Sequence, residues 1–210
     1  MDFFYKFDGS LPNGRMNAYN ELHISKYMEG EISKYVLTGG PGVGKTSVLN
    51  VLGQRGYNIV PEAARQIITK AQEEKTDCLS WKNNQGFQDA VMNLQLNLER
   101  TVTGDAFCDR GIIDVHAYSL LKGSDAPYQL EDLGRGRYKG VFILDPLENY
   151  CKDSERRENP EYVREIHEAI GRSYGQFGYS SIKVPLMSIE ERVNFILNEI
   201  NSQKMRRNGE

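Results

Sequence analysis

Tyr35-Val36-Leu37-Thr38-Gly39-Gly40-Pro41-Gly42-Val43-Gly44-Lys45-Thr46-Ser47 is the stretch on which the fold turns. A short β-prone run stops abruptly at glycines, and Lys45 to Leu52 predicts a helix. Gly39 to Thr46 satisfies G-x-x-x-x-G-K-[ST] in full. From average residue usage, a chance match in a chain of this length is on the order of one per cent or less. The pattern has a physical reading. Consecutive backbone N–H groups at a helix N-terminus meet a phosphate chain with their dipoles only where no Cβ blocks the approach, and glycines leave that approach open. Lys45 is then placed to neutralise β/γ oxygens, and the Thr46 hydroxyl to ligate Mg²⁺. The candidate nucleotide-binding segment is Gly39 to Ser47, taking in Gly39, Gly40, Pro41, Gly42, Val43, Gly44, Lys45, Thr46 and Ser47.

The pattern repeats outward from this loop. Tyr57 to Val60 reads as a second strand before Pro61, and Ala63, Ala64, Ile67, Ile68 and Ala71 follow at helical spacing. Asn84 to Val102 carries Phe87, Val91, Leu94, Leu98 and Val102, a helical stripe that hands over at Gly104 to a third strand, Ala106 to Asp109. Ile112 to Leu121 predicts a helix, and Gly123 to Arg137 is polar and glycine-containing. Val141 to Leu144 is the most continuous apolar run, expected as a buried central strand. Glu161 to Tyr174 predicts a helix, Ser181 to Val184 a strand, and Ile189 to Ile200 a closing helix whose Ser188-x-x-Glu191 start fits a capping box. Five strands alternating with helices imply an α/β fold with a parallel sheet covered on both faces. Ligands of such sheets bind beyond the carboxyl ends of the strands.

Composition narrows the function. The 210 residues include 26 basic and 29 acidic side chains, a formal net charge of -3. That excludes a broadly basic nucleic-acid binder, so no nucleic acid is expected as a partner. No apolar run approaches the roughly 20 residues of a membrane span, and the expected location is cytoplasmic. Cys78, Cys108 and Cys151 are widely spaced and read as reduced thiols, and His23, His116 and His167 are equally scattered. Any metal is expected to arrive with a substrate.

The strand ends supply the other candidates. Asp109 closes the third strand where a carboxylate can enter the Mg²⁺ shell, and Asp145 closes the fourth as a rival. Arg110 follows Asp109; its plainer reading is a surface ion pair. Glu62 and Arg65 follow the second strand. Glu62 can accept a proton from an acceptor hydroxyl and Arg65 can fix an anion, or the two can form an i, i+3 salt bridge. Asp153, Arg156, Arg157 and Arg164 form a charged segment that could close over phosphates or remain a solvated face.

From about Tyr35 to Ile200 the chain resembles the AAA-type ATPase-like P-loop family that includes ribosylnicotinamide kinases. Glu62-Ala63-Ala64-Arg65, Phe107-Cys108-Asp109-Arg110, Tyr150-x-x-Asp153-x-x-Arg156, Tyr174-x-x-x-Gly178-Tyr179 and Glu191-Arg192-Val193 carry the likeness, in order. Asp109-Arg110 with Asp114, Ala117 and Tyr118 also resembles thymidylate and deoxynucleoside kinases. The resemblance implies a nucleoside/nucleotide kinase-like P-loop NTPase with Asp109 near Mg²⁺, Glu62 as base, Arg156 in a lid, and Arg65, Arg110 and Asp114 toward the substrate. AAA-type hydrolases usually carry a second acidic residue after the third strand. Arg110 stands there instead, which favours transfer to an organic acceptor over hydrolysis.

The expected function is an ATP·Mg²⁺-dependent kinase acting on a small hydroxyl acceptor such as a nucleoside. The alternative is a nucleotide-responsive ATPase/GTPase-like regulatory protein with slow hydrolysis. ATP over GTP rests on the absence of an N-K-x-D tetrapeptide. Residues 1–33 are expected as an N-terminal extension, 34–203 as the nucleotide-binding domain with a lid around 146–165, and 204–210 as a polar tail.

Overall fold

β1 (Lys34–Thr38), β2 (Asn58–Val60), β3 (Ala106–Asp109), β4 (Gly140–Leu144) and β5 (Ile182–Val184) form one sheet in the order β2-β3-β1-β4-β5. All four pairings are parallel. The computed structural model describes residues 32–74, 83–146 and 159–208. Parallel neighbours cannot be joined by tight turns, so helices make the crossovers. The helices between strands are α1 (Lys45–Gln54), α2 (Ala63–Glu74), α3 (Asn84–Arg100), α4 (Ile112–Leu121), α5 (Leu130–Gly134) and α6 (Pro160–Gln176), and α7 (Ile189–Asn208) follows the last strand.

Strand alternation sorts the core into two layers. Val36, Cys108, Val141 and Ile143 face one side and pack with Met92, Leu96, Ile113, Ile166, Ile170 and Tyr174 from α3, α4 and α6. Tyr35, Leu37, Phe107, Phe142 and Leu144 face the other and meet Val48, Leu49 and Leu52 of α1 and Val193, Ile196 and Ile200 of α7. Each large side chain so buried contributes about 1.5–3 kcal/mol of transfer free energy. β1 lies at the centre, flanked by β3 and β4, with Leu37 opposite Asp109 and Thr38 opposite Ile143. This register brings the loop after β1 level with the end of β3.

The polar, glycine-containing segment 123–137 contains α5. Leu130 and Gly134 of this short helix are buried, and a Cβ on Gly134 would stand 2.7 Å from the Phe177 ring. Tertiary packing, not local periodicity, makes that helix. The closing helix runs past Ile200 to Asn208, so most of the stretch expected as a polar tail is helical. Its start is as expected: Glu191 Oε2 accepts from the Ser188 hydroxyl and N–H at 2.7 and 2.9 Å, and the Glu191 N–H donates back to the Ser188 hydroxyl at 3.3 Å.

The turn from β3 into α4 has no room for a side chain at Gly111. A Cβ there would lie 2.7 Å from the Tyr174 hydroxyl and 2.8 Å from that of Tyr138. Gly111→Ala is therefore expected to displace both phenols and cost roughly 1–3 kcal/mol, measurable by chemical denaturation.

Candidate functional site

The loop Gly39–Ser47 bends through positive backbone angles, with φ of 130° at Gly39, 77° at Gly42 and 87° at Gly44. L-residues rarely adopt this region, which explains glycine at these points. Gly40 is glycine for a different reason: a Cβ would meet the Val163 carbonyl of α6 at 3.0 Å. The first backbone bond of α1 runs from the Val48 N–H to the Gly44 carbonyl at 3.3 Å, so the N–H groups of Gly44, Lys45, Thr46 and Ser47 have no partner among the described residues. Unpaired amides at a helix start form an electropositive cradle for an anion.

Lys45 lies folded over this cradle. Its ammonium donates to the carbonyls of Gly39 at 3.2 Å and Gly40 at 3.0 Å. Burial, reinforced by the Arg110 charge, pulls its pKa down to about 8 against the partial opposition of Asp109, Glu62 and Asp114. The side chain is thus a cation held out of water with no ion-pair contact among the described residues, poised for a better anionic partner.

Asp109 sits at the end of β3 beside Thr46, whose hydroxyl donates to its Oδ2 at 3.4 Å. The other oxygen, Oδ1, is buried without any hydrogen-bond partner. Burial pushes the Asp109 carboxyl above the usual range, with Lys45 opposing and Glu62 adding to the rise. An orphaned carboxylate oxygen next to a threonine hydroxyl suits a hard divalent cation. Among the described residues no group of three or more His, Cys, Asp or Glu could hold a metal. An ion at Thr46 and Asp109 would therefore draw most of its ligands from phosphate oxygens and water.

Arg110 is not the surface ion pair of the plainer reading. Only 11% of its side chain is exposed. It donates from Nε to Glu62 Oε1 at 3.1 Å and from one terminal nitrogen to the Gly39 carbonyl at 3.1 Å and Asp114 Oδ1 at 2.9 Å. Its guanidinium also stands 5.4 Å from the centre of the Tyr118 ring. Arg110 has φ of 71°, a position that costs a non-glycine residue about 1–3 kcal/mol and is held only by surrounding bonds. Asp114 is buried and saturated, accepting from Thr38 at 2.6 Å, Tyr174 at 2.8 Å, Arg110, and the Gly111 N–H at 3.1 Å. Both of its oxygens are thus engaged by neighbouring groups of the protein.

A cavity of about 960 Å³ opens in front of these groups, lined among others by Thr46, Asp109, Glu62 and Arg65, with Leu49 and Ile59 contributing apolar wall. The expected Glu62–Arg65 bridge exists at 3.7 Å, but the shorter bond of Glu62 is to Arg110. Burial alone would raise the Glu62 pKa; the Arg110 and Lys45 charges outweigh it and hold the carboxyl below its ordinary value. Asp145, the rival to Asp109, is not among the residues lining this cavity. Arg164 is exposed on α6. Asp153, Arg156 and Arg157 lie outside the described residues, as do Tyr150 and residues 1–31.

Two residues without an assigned role touch the loop. His167 of α6 accepts the Gly40 N–H at Nδ1, 3.1 Å away. Burial holds its pKa below the ordinary value, in keeping with a ring nitrogen that must stay unprotonated to accept. Arg192 of α7 reaches the loop from the opposite end of the chain, bonding the Val43 carbonyl. A scattered histidine carries no spacing signal by which to find it, and Arg192, although part of the Glu191-Arg192-Val193 likeness, carries none that points to the loop.

No curated protein matches the sequence. A family model described as an AAA domain matches residues 34–192. Among solved structures, a NadR protein in complex with NR superposes with a TM-score of 0.62 at 17% identity, covering 81% of this chain and 51% of that one. Deoxyadenosine kinase from M. mycoides gives 0.56 at 16% identity, covering 80% and 98%. Shikimate kinase from Acinetobacter baumannii, solved with shikimate, gives 0.56 at 20% identity, covering 86% and 98%. At such identities the likeness speaks for the fold, a five-stranded parallel α/β sheet of the kind found in P-loop kinases. With the family model spanning β1, the glycine loop and everything through Arg192, the chain belongs to the AAA-domain family of P-loop proteins.

Proposed function

We propose that the protein is an ATP·Mg²⁺-dependent kinase that transfers the γ-phosphate to a hydroxyl of a small organic acceptor such as a nucleoside. The observation that carries this reading is the cavity: about 960 Å³ lined at once by Thr46, Asp109 and Glu62, which is room for a second substrate beside the phosphate loop. The loop amides and Lys45 hold the phosphate chain of ATP, and Thr46 and Asp109 fit the accompanying Mg²⁺. That ion would supply charge neutralisation to the β and γ oxygens. The acceptor oxygen forms its bond to the γ-phosphorus as the bond to the β–γ bridging oxygen breaks, the electron pair leaving on ADP. Glu62 accepts the hydroxyl proton. Because Glu62 is a weak base, proton transfer fits a loose transition state in which the hydroxyl becomes acidic late.

The test is transfer itself. Full-length protein with γ-labelled ATP, Mg²⁺ and a panel of nucleosides and small hydroxyl metabolites is expected to move label to an acceptor faster than to water. Label moving only to water across the panel would overturn the kinase reading in favour of a nucleotide-responsive regulator with slow hydrolysis.

A pH dependence follows from Lys45. With a pKa of about 8 in the free protein, the side chain is increasingly neutral above that pH, and a bound phosphate chain restores the ammonium. Binding thus takes up a proton, and affinity for Mg·ATP should fall as pH rises from 8, by up to about tenfold per unit until the bound form also titrates. Calorimetry in two buffers of different ionisation enthalpy reads the uptake directly. Equal heats at pH 8.5 would contradict it.

A further inference from the structure

Arg192 is 2% exposed although it carries a full charge. It stands in the first turn of α7, and its three donor nitrogens go to three backbone carbonyls: Val43 at 2.6 Å, Asp145 at 3.1 Å and Pro185 at 3.2 Å. These carbonyls belong to the segments that follow β1, β4 and β5, three adjacent strands. No carboxylate lies within ion-pair distance of it among the described residues. A buried arginine satisfied only by main-chain oxygens is costly to place and contributes nothing to the core that an apolar residue could not.

The peptide geometry indicates a use. The Val43–Gly44 bond is trans, so its C=O and N–H point in opposite directions. Drawing the Val43 carbonyl toward Arg192 aims the Gly44 N–H away from it, into the concave side of the loop where that amide has no partner. Gly44 has φ of 87°, so the orientation this peptide takes is one that glycine makes accessible, and a fixed hydrogen bond is needed to hold it against the flipped one.

Building on the phosphate-loop reading above, we propose that Arg192 is a positioning residue: it locks the Val43–Gly44 peptide with its N–H toward the bound phosphates and ties that orientation to the ends of β4 and β5. Two variants and one wild-type measurement test it. Arg192→Gln and Arg192→Lys, in the full chain and checked for native thermal unfolding, are titrated with Mg·ATP and with Mg·pyrophosphate. Pyrophosphate touches the loop without a nucleoside. Losing a charge-assisted bond predicts ~10- to 100-fold weaker binding of both ligands to the Gln variant. The Lys variant, which keeps the charge and reaches one carbonyl, should fall between. In wild-type protein the Gly44 amide should exchange freely with solvent when unliganded and become protected on adding Mg·pyrophosphate.

A folded Gln or Lys variant that binds both ligands like wild type removes this proposal alone, as does a Gly44 amide left unprotected by pyrophosphate. Wild-type protein that takes up neither ligand removes the phosphate-site reading and this proposal with it. The amide measurement needs no variant, so the proposal stays open to refutation even where a substitution impairs folding.

Discussion

Lys45→Ala is expected to lower turnover by roughly 10²–10³-fold, the range for removing one preorganised charge-stabilising donor. The expectation rests on the lack of a substitute. Arg110, the nearest other cation, is committed to Glu62, Asp114 and the Gly39 carbonyl. Folding should survive, because the Lys45 ammonium is held only by the carbonyls of Gly39 and Gly40 and burial already opposes its charge. The melting temperature should therefore hold or rise while turnover collapses, a split that separates chemistry from stability. Arginine should not rescue, since a planar fork cannot occupy the space of a compact ammonium. A Lys45→Ala protein with wild-type turnover and ATP affinity would end the loop assignment.

The second large effect is at Glu62. Glu62→Gln should reduce turnover by roughly 10²–10⁴-fold with little change in the Michaelis constant for ATP. The amide oxygen can still accept from Arg110 Nε, so the loop-side contacts of Arg110 remain, and only proton acceptance is lost. The pH profile gives an independent check. Arg110 and Lys45 hold the Glu62 pKa below its ordinary 4.5, outweighing burial, so the contribution of this carboxylate is lost only as pH falls through that lowered value. An acidic limb of wild-type activity lying well above pH 4.5 must then belong to another group, and it should persist in residual Glu62→Gln turnover. If the variant turns over at the wild-type rate, the proton is taken elsewhere, and Asp109 is the next carboxylate on the same cavity wall.

Much of this site was legible because its parts follow strands one to three. Local pattern locates each strand end, and parallel-sheet topology puts those ends side by side without any contact being known. That is why Thr46 and Asp109, 63 positions apart, meet. The legibility stops where partners are backbone atoms. Arg192 finds the Val43 carbonyl across 149 positions, and carbonyls leave no trace in side-chain spacing. Asp114 shows a related limit: the resemblance places it toward the substrate, and no pattern in the sequence announces its bonds to Thr38 and Tyr174. α5 carries no signal of its own, since one of its two buried positions, Gly134, answers to Phe177 in α6's C-cap, far along the chain. The extension of α7 beyond Ile200 carries exposed Asn201, Ser202 and Lys204, so no apolar stripe announces it.

Arg110 touches the Gly39 carbonyl with the same nitrogen that touches Asp114, and reaches Glu62 through Nε. Under the kinase proposal, a single guanidinium is thereby wired to both halves of a two-substrate reaction. Kinetic phenotypes at this position will be pleiotropic: truncating it should disturb the Michaelis constants of donor and acceptor together, and no steady-state experiment on such a mutant can apportion the damage. Residue 110 is for that reason a poor diagnostic of which substrate a defect concerns, and assignments are better sought at positions that serve only one of the two.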